Sequence, residues 1–119
     1  MEEMIIVKSK VKKVSDDCSF AGEFAEALNK LAHHTVKEAV RRAKGNKRKT
    51  VQAKDVYIGD IKSEDNMLVV KSKVKSIVED MNFSSDFFSA FNELLVWHVK
   101  QACGRAKANG RKTVVARDL

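Results

Sequence analysis

Two short stretches of the sequence carry side chains that suit the binding of phosphate. In each, an arginine, a lysine and a threonine are consecutive, and an aspartate follows the threonine by five residues. A guanidinium, an ammonium, a hydroxyl and the exposed backbone N–H groups of a turn all donate hydrogen bonds to phosphate oxygens. The residues concerned are Lys47, Arg48, Lys49, Thr50 and Asp55 in the first stretch, and Arg111, Lys112, Thr113 and Asp118 in the second.

The two stretches belong to a repeat that runs along the whole chain. Phe20 and Phe83 lie 63 positions apart, as do Arg48 and Arg111, and no insertion disturbs that offset. A repeat of this size often means that neither copy can bury its apolar face alone. We predict a first repeat at residues 1–58, a linker at 59–66 and a second repeat at 67–119.

The charge of the chain favours an anionic partner. Its 119 residues include 23 Lys and Arg against 16 Asp and Glu, a formal net charge of +7. Such a surface favours nucleic acid or an anionic membrane, although a solvated surface that keeps a protein soluble has the same composition. The only apolar run near the start, Met4 to Val7, is too short for a signal peptide or a membrane span. We therefore expect a cytoplasmic protein with no membrane partner.

The cysteines and histidines show no pattern of a reactive or metal-binding site. Cys18 aligns with Met81 and Cys103 with Val40, so neither cysteine belongs to a repeated framework or a CxxC motif. We expect two reduced thiols in the core. The histidines, which have no metal-ligand partner at repeated spacing, are His33, His34 and His98.

Catalytic motifs are also missing from the sequence. We find no Gly-rich phosphate loop, no nucleophile elbow and no paired carboxylates. The sequence therefore indicates a protein that is not an enzyme and takes no cofactor and no small-molecule substrate.

Helices must position the basic stretches. Apolar residues recur at three- and four-residue steps from Glu23 to Lys44, which predicts a helix about 33 Å long. An apolar face of that length needs a second long helix, and residues 87–106 repeat the pattern. A short helix rich in valine and lysine precedes each long one. A short third helix should run from about Gln52 to Gly59, and in the second repeat it is hardly more than a turn. Proline is absent, and the class is all-α.

The turn after each long helix should need a left-handed residue. Gly110 follows the second long helix at the position where such a conformation is common. The first repeat has Lys47 there, a residue poorly suited to positive φ.

The second long helix is more apolar than the first. Phe88, Val96 and Trp97 replace Ala25, His33 and His34. Either asymmetric packing of the core absorbs these side chains, or they form an adhesive surface where two chains meet. Further self-association through the Trp97 region is therefore a second expectation.

The repeated motif, Arg-x-Thr followed by Asp, resembles that of the histone fold. The residues from Glu38 to Lys44 look like the archaeal version, whereas the Val-Lys-Ser-Lys-Val-Lys openings and the short ending at Leu119 look like small bacterial histones. The resemblance covers both halves. The chain is thus similar to a doublet histone, in which two histone folds within one chain form a pseudodimer.

This resemblance implies a handshake, in which the long helices cross antiparallel and each basic turn lies beside the first loop of the other half. In histone folds the arginine of the motif reaches toward the minor groove, the threonine contacts a phosphate and the aspartate pairs with the arginine. The lysines of the short helices either contact phosphate as well or form a solvated face. These supporting residues are Lys8, Lys10, Lys71 and Lys73.

The expected function is non-enzymatic, largely sequence-independent binding of double-stranded DNA, which the protein bends or coats as part of the nucleoid. The alternative is a histone-fold interaction module that pairs with proteins and does not bind DNA. The chain has one Trp and one Tyr, too few stacking aromatics to favour single-stranded RNA.

Overall fold

The computed structural model describes residues 3–15, 18–56 and 67–119. The first half contains α1 (Lys8–Lys12), β1 (Ser19–Phe20), α2 (Gly22–Gly45), β2 (Thr50–Val51) and a 3-10 turn at Ala53–Asp55. The second half contains α3 (Lys71–Ile77), β3 (Asn82–Phe83), α4 (Ser85–Ala108), β4 (Thr113–Val114) and a 3-10 turn at Ala116–Asp118. The same order of elements therefore occurs twice. The expected linker at 59–66 lies outside the described residues.

The two long helices form where the apolar periodicity predicts them. Each has 24 residues, so each is about 36 Å long. Their buried faces contain Phe24, Leu28, Ala32, Val36 and Ala39 in α2, and Phe87, Phe91, Leu95, Val99 and Ala102 in α4. These spacings of three and four residues keep one stripe of each helix in the core.

The turns after both long helices contain a left-handed residue, as the sequence predicts. Gly110 has a φ of 71° and Lys47 a φ of 59°. Lys47 is the only non-glycine residue with positive φ in the described part of the chain.

Short parallel strand pairs link the two halves. β1 pairs with β4, with Ser19 opposite Thr113, and β2 pairs with β3, with Thr50 opposite Asn82. The start of α2 therefore lies beside the end of α4, and the end of α2 lies beside the start of α4. This arrangement makes the long helices antiparallel. The class is mainly α, and the strand pairs add two-residue contacts that periodicity does not predict.

The segments that precede the short helices also meet. Ile6 and Val69 form an antiparallel bridge. Two buried asparagines fix these segments, because Asn29 Oδ1 accepts the N–H of Ile5 at 2.9 Å and Asn92 Oδ1 accepts that of Leu68 at 2.7 Å. One apolar cluster contains buried residues of both halves.

The prediction of reduced cysteines is wrong. Cys18 and Cys103 form a disulfide, with their Cα atoms 6.3 Å apart and 85 positions between them in sequence. Cys18 lies just before β1 and Cys103 lies in the last two turns of α4, which the antiparallel arrangement brings together. The symmetry-equivalent positions hold Met81 and Val40, both buried.

The third helix of the first half is shorter than predicted within the described residues. Only the 3-10 turn Ala53–Asp55 follows Gln52, and residues 57–66, which include Gly59, lie outside the described part. The second half ends in the equivalent 3-10 turn, which matches the expectation of little more than a turn. None of the described helices is long and apolar enough to cross a membrane.

Candidate nucleic-acid interface

The basic stretches lie at the two ends of the helix pair, where they form what we call corner one (Lys47–Thr50) and corner two (Gly110–Thr113). Each corner is fixed to the other half by backbone hydrogen bonds. The N–H of Asn82 donates to the carbonyl of Lys49 at 2.8 Å, and the N–H of Ser19 donates to that of Lys112 at 2.8 Å. The loop that precedes one long helix thus positions the basic turn that follows the other.

An arginine of each corner is held in place by its aspartate. Arg48 donates through Nη1 and Nη2 to the two carboxylate oxygens of Asp55, at 2.8 and 2.6 Å. Arg111 makes the same bidentate pair with Asp118, at 2.9 and 2.8 Å. Each carboxylate also accepts a backbone N–H at 2.8 Å, from Gln52 and Val115 respectively.

The electrostatics of these pairs follow from their hydrogen bonds. The Arg111 guanidinium lowers the pKa of Asp118 from 3.8 to about 2, and the Arg48 guanidinium lowers the pKa of Asp55 in the same direction. The same hydrogen bonds raise the pKa values of Arg48 and Arg111. The arginines keep 22% and 27% of their side chains exposed, whereas both aspartates are 3% exposed. Each guanidinium is therefore oriented by a buried carboxylate and remains partly accessible to solvent.

Other cations surround the arginine of corner one. A cleft of about 480 Å³ is lined by Lys44, Lys47, Arg48, Lys49, Asp80 and Met81. Lys44 donates to Asp80 at 3.0 Å, which joins the end of α2 to the turn before β3. Within the described residues, Lys47 and Lys49 form no ion pair. Corner two has Lys112 in place of Lys49 but Gly110 in place of Lys47, so it carries one cation fewer.

The threonines of the motif lie in the strands β2 and β4. Thr50 is half-buried and Thr113 is exposed. Their backbone carbonyls accept hydrogen bonds from Arg48 at 3.2 Å and from Arg111 at 3.3 Å. Each threonine is thus tied to the arginine of its own corner.

The lysines of the short helices form a separate group. Because Ile6 and Val69 form an antiparallel bridge, the helices α1 and α3 begin close to each other. Lys73 pairs with Glu3 of the other half at 3.4 Å. Lys71 lies over the ring of Phe88, 5.7 Å from its centroid. Lys8 is exposed and Lys10 is half-buried.

Sequence reasoning missed two arginines near the corners. Arg42 donates through Nη1 to the backbone carbonyl of Asp55 at 2.7 Å, and Arg105 donates in the same way to that of Asp118 at 2.7 Å. A signal was present, because these arginines are 63 positions apart, like the motif itself. On a helix face they look like ordinary solvated charges.

Two of the three histidines, His33 and His98, make structural contacts. The Nε2 of His33 lies 2.6 Å from the backbone carbonyl of Glu3. His98 packs against Trp97, with ring centroids 5.0 Å apart, and burial lowers its pKa. No group of three or more potential metal ligands exists among residues 3–15, 18–56 and 67–119.

The fold is similar to that of a solved protein whose title reads "Crystal structure of the histone from Methanopyrus kandleri". The TM-score is 0.61 at 16% sequence identity, and the match covers 95% of this chain and 89% of that chain. No protein-family model and no curated protein matches the sequence. The structural match shows that this chain adopts a histone fold.

Proposed function

We propose that this chain is a non-enzymatic, histone-like protein of the nucleoid that binds double-stranded DNA with little regard to sequence. In this proposal, residues 1–58 and 67–119 are two histone folds joined by a linker at 59–66, and they form a handshake pseudodimer. The bound duplex is bent or coated. Affinity comes from phosphate contacts with release of counterions, and not from base-edge hydrogen bonds.

One observation carries the proposal. Both corners hold an arginine that a buried aspartate orients, and each corner is fixed by the opposite half. Bidentate pairing removes rotational freedom from each guanidinium, and the arginine side chains still keep 22% and 27% of their surface exposed to a ligand. Two such groups at the two ends of one rigid helix pair suit successive contacts along a duplex. The structural likeness to a histone supports the same function.

A salt series tests the proposal. We expect a random 30-base-pair duplex to be retarded by the protein near physiological salt, and duplexes of unrelated sequence to bind alike. The logarithm of the binding constant should fall linearly with the logarithm of salt concentration. No retardation at any salt concentration would contradict DNA binding and favour the interaction module.

The interaction module is a second candidate because Trp97 is 50% exposed, the only large hydrophobic side chain so exposed in the described residues. Phe88 and Val96, the other two apolar replacements in α4, are 3% and 5% exposed, so the core absorbs them. Trp97 is therefore the one part of the apolar surplus of α4 that is accessible to a second chain.

A further inference from the structure

Each half has a cationic cleft that is partly lined by the arginine of its corner, and we call these clefts end cleft one and end cleft two. End cleft one has a volume of about 450 Å³ and is lined by Arg42, Asn46, Arg48, Lys54 and Asp55. End cleft two has a volume of about 550 Å³ and is lined by Arg105, Asn109, Arg111, Arg117 and Asp118. Every residue of one cleft is 63 positions from its counterpart in the other, so the fold builds the same site twice.

The end cleft is distinct from the corner. In the first half, the cleft at corner one and end cleft one share Arg48 alone. The guanidinium of Arg48, which Asp55 holds in place, thus separates the corner cleft from end cleft one. A phosphate that lies against Lys47 and Lys49 does not occupy the space beside Arg42 and Lys54.

Each end cleft has an excess of positive charge. Three cationic side chains line it, and its one carboxylate is already paired with Arg48 or Arg111. The surplus is therefore two positive charges per cleft. Lys54 in one cleft is replaced by Arg117 in the other, so the charge is the same although the side chain differs.

The arginine specific to each end cleft is already oriented. One Nη of Arg42 is held by the carbonyl of Asp55, and one Nη of Arg105 by that of Asp118. A guanidinium has five N–H donors, so most of them stay available to a ligand. Asn46 and Asn109 donate to the carbonyls of those arginines at 2.9 Å, which fixes the helix end that lines the cleft.

We propose that each end cleft binds a backbone phosphate of the same duplex that lies on the neighbouring corner, an inference that rests on the proposed function. An open cleft with two surplus cations and oriented guanidinium donors matches a phosphodiester in charge and in hydrogen-bonding type. A second copy of this chain is the wrong occupant, because facing end clefts would bring four uncompensated cations together. The DNA footprint thus extends past both corners.

The test compares two double variants of the full chain on a 30-base-pair duplex across a salt series. Arg42→Gln with Arg105→Gln removes one cation from each cleft. Each lost phosphate contact should make the log–log salt slope about 0.9 shallower, so the double variant should make it about 1.8 shallower. Between 50 and 200 mM salt, the wild type should then lose about tenfold more affinity than the variant. The matched control is Lys37→Gln with Lys100→Gln, exposed positions on the same two helices that line neither cleft. Its slope should stay near that of the wild type.

A second variant guards against an effect of folding. Lys54→Gln with Arg117→Gln removes the other specific cation without touching the hydrogen bonds of Arg42 and Arg105, and it should flatten the slope as well. Slopes of both cleft variants equal to that of the control overturn the proposal. So does a result in which the variants bind one duplex normally but no longer bring two labelled duplexes together, because the cleft would then hold a second duplex. If the wild type itself binds no DNA, the proposed function fails instead.

Discussion

Cys18 of the first half is bonded to Cys103 of the second, directly beside corner two. The residue after Cys18 is Ser19, whose N–H donates to the carbonyl of Lys112. The equivalent place beside corner one holds Met81 and Val40 without a covalent bond. The molecule therefore has a covalent link at one place and two buried apolar side chains at the equivalent place.

Reduction of this disulfide should destabilise the fold. Its cysteines are 85 positions apart, and closing a loop of that size raises the free energy of the unfolded chain by about 4.6 kcal/mol through lost conformational entropy. We expect a reductant to lower the melting temperature clearly. Cys18→Met with Cys103→Val, which copies the other pair, should melt at one temperature with or without reductant. A wild-type protein whose melting ignores reductant would show that the bond does not form.

Acid should weaken the fold through the Arg–Asp pairs. The pKa of Asp118 is about 2 in the folded chain and 3.8 ordinarily, so the unfolded state binds the proton more readily. The contribution of Asp118 is then complete well above pH 3.8 and is lost as the pH falls toward 2. Asp118→Asn should cost about 2 kcal/mol at pH 7 and much less at pH 2. Urea unfolding at both pH values measures this, and equal losses would contradict the pairing.

The arginines of the corners should carry DNA affinity. Arg48→Ala with Arg111→Ala should weaken binding alike on all sequences and make the salt slope about 1.8 shallower. Since this change also leaves two buried carboxylates unpaired, folding must be checked by circular dichroism. Lys49→Gln with Lys112→Gln leaves the Arg–Asp pairs intact and should flatten the slope too. Unaltered binding by both variants at moderate salt would exclude the corners as the contact surface.

The sequence predicts the long helices and the position of the motif because both depend on local spacing. Apolar steps of three and four residues determine which stripe of α2 and α4 is buried. The left-handed turns at Lys47 and Gly110 follow from their place after those helices. The resemblance to the histone fold implies that Arg48 pairs with Asp55, and in the structure Arg48 donates to the carboxylate of Asp55.

The disulfide and the end clefts could not be predicted in this way. Alignment of the halves compares equivalent positions, whereas antiparallel helices bring together non-equivalent ones, so Cys18 faces Cys103 and not Met81. Arg42 finds its carbonyl partner 13 positions later, only after the chain has turned back on itself. Such contacts depend on tertiary structure, and the 63-residue repeat of Arg42 and Arg105 does not show which groups these side chains contact.

Trp97 should govern self-association. We expect the wild type to associate as its concentration rises, because burying a half-exposed indole between two chains is favourable. The replacement Trp97→His copies His34, the exposed residue at the equivalent place in α2, and should abolish that association. Sedimentation velocity over a range of concentrations measures it. Identical hydrodynamic size for both proteins at every concentration would exclude Trp97 as an interface.

Lys47 should lower the stability of the fold and strengthen DNA binding. Its φ of 59° disfavours a side chain with a Cβ, so Lys47→Gly should stabilise the fold by about 0.5 to 1 kcal/mol. The same change removes a cation from corner one and should make the salt slope about 0.9 shallower.

The reverse change, Gly110→Lys, adds a cation to corner two. A Cβ there meets no atom within 4 Å, so only backbone strain opposes it, and we expect tighter DNA binding with about 1 kcal/mol less stability. Chemical denaturation measures the stability of both variants, and DNA titration measures their affinity. A less stable Lys47→Gly variant, or a Gly110→Lys variant that binds DNA more weakly, would contradict the prediction.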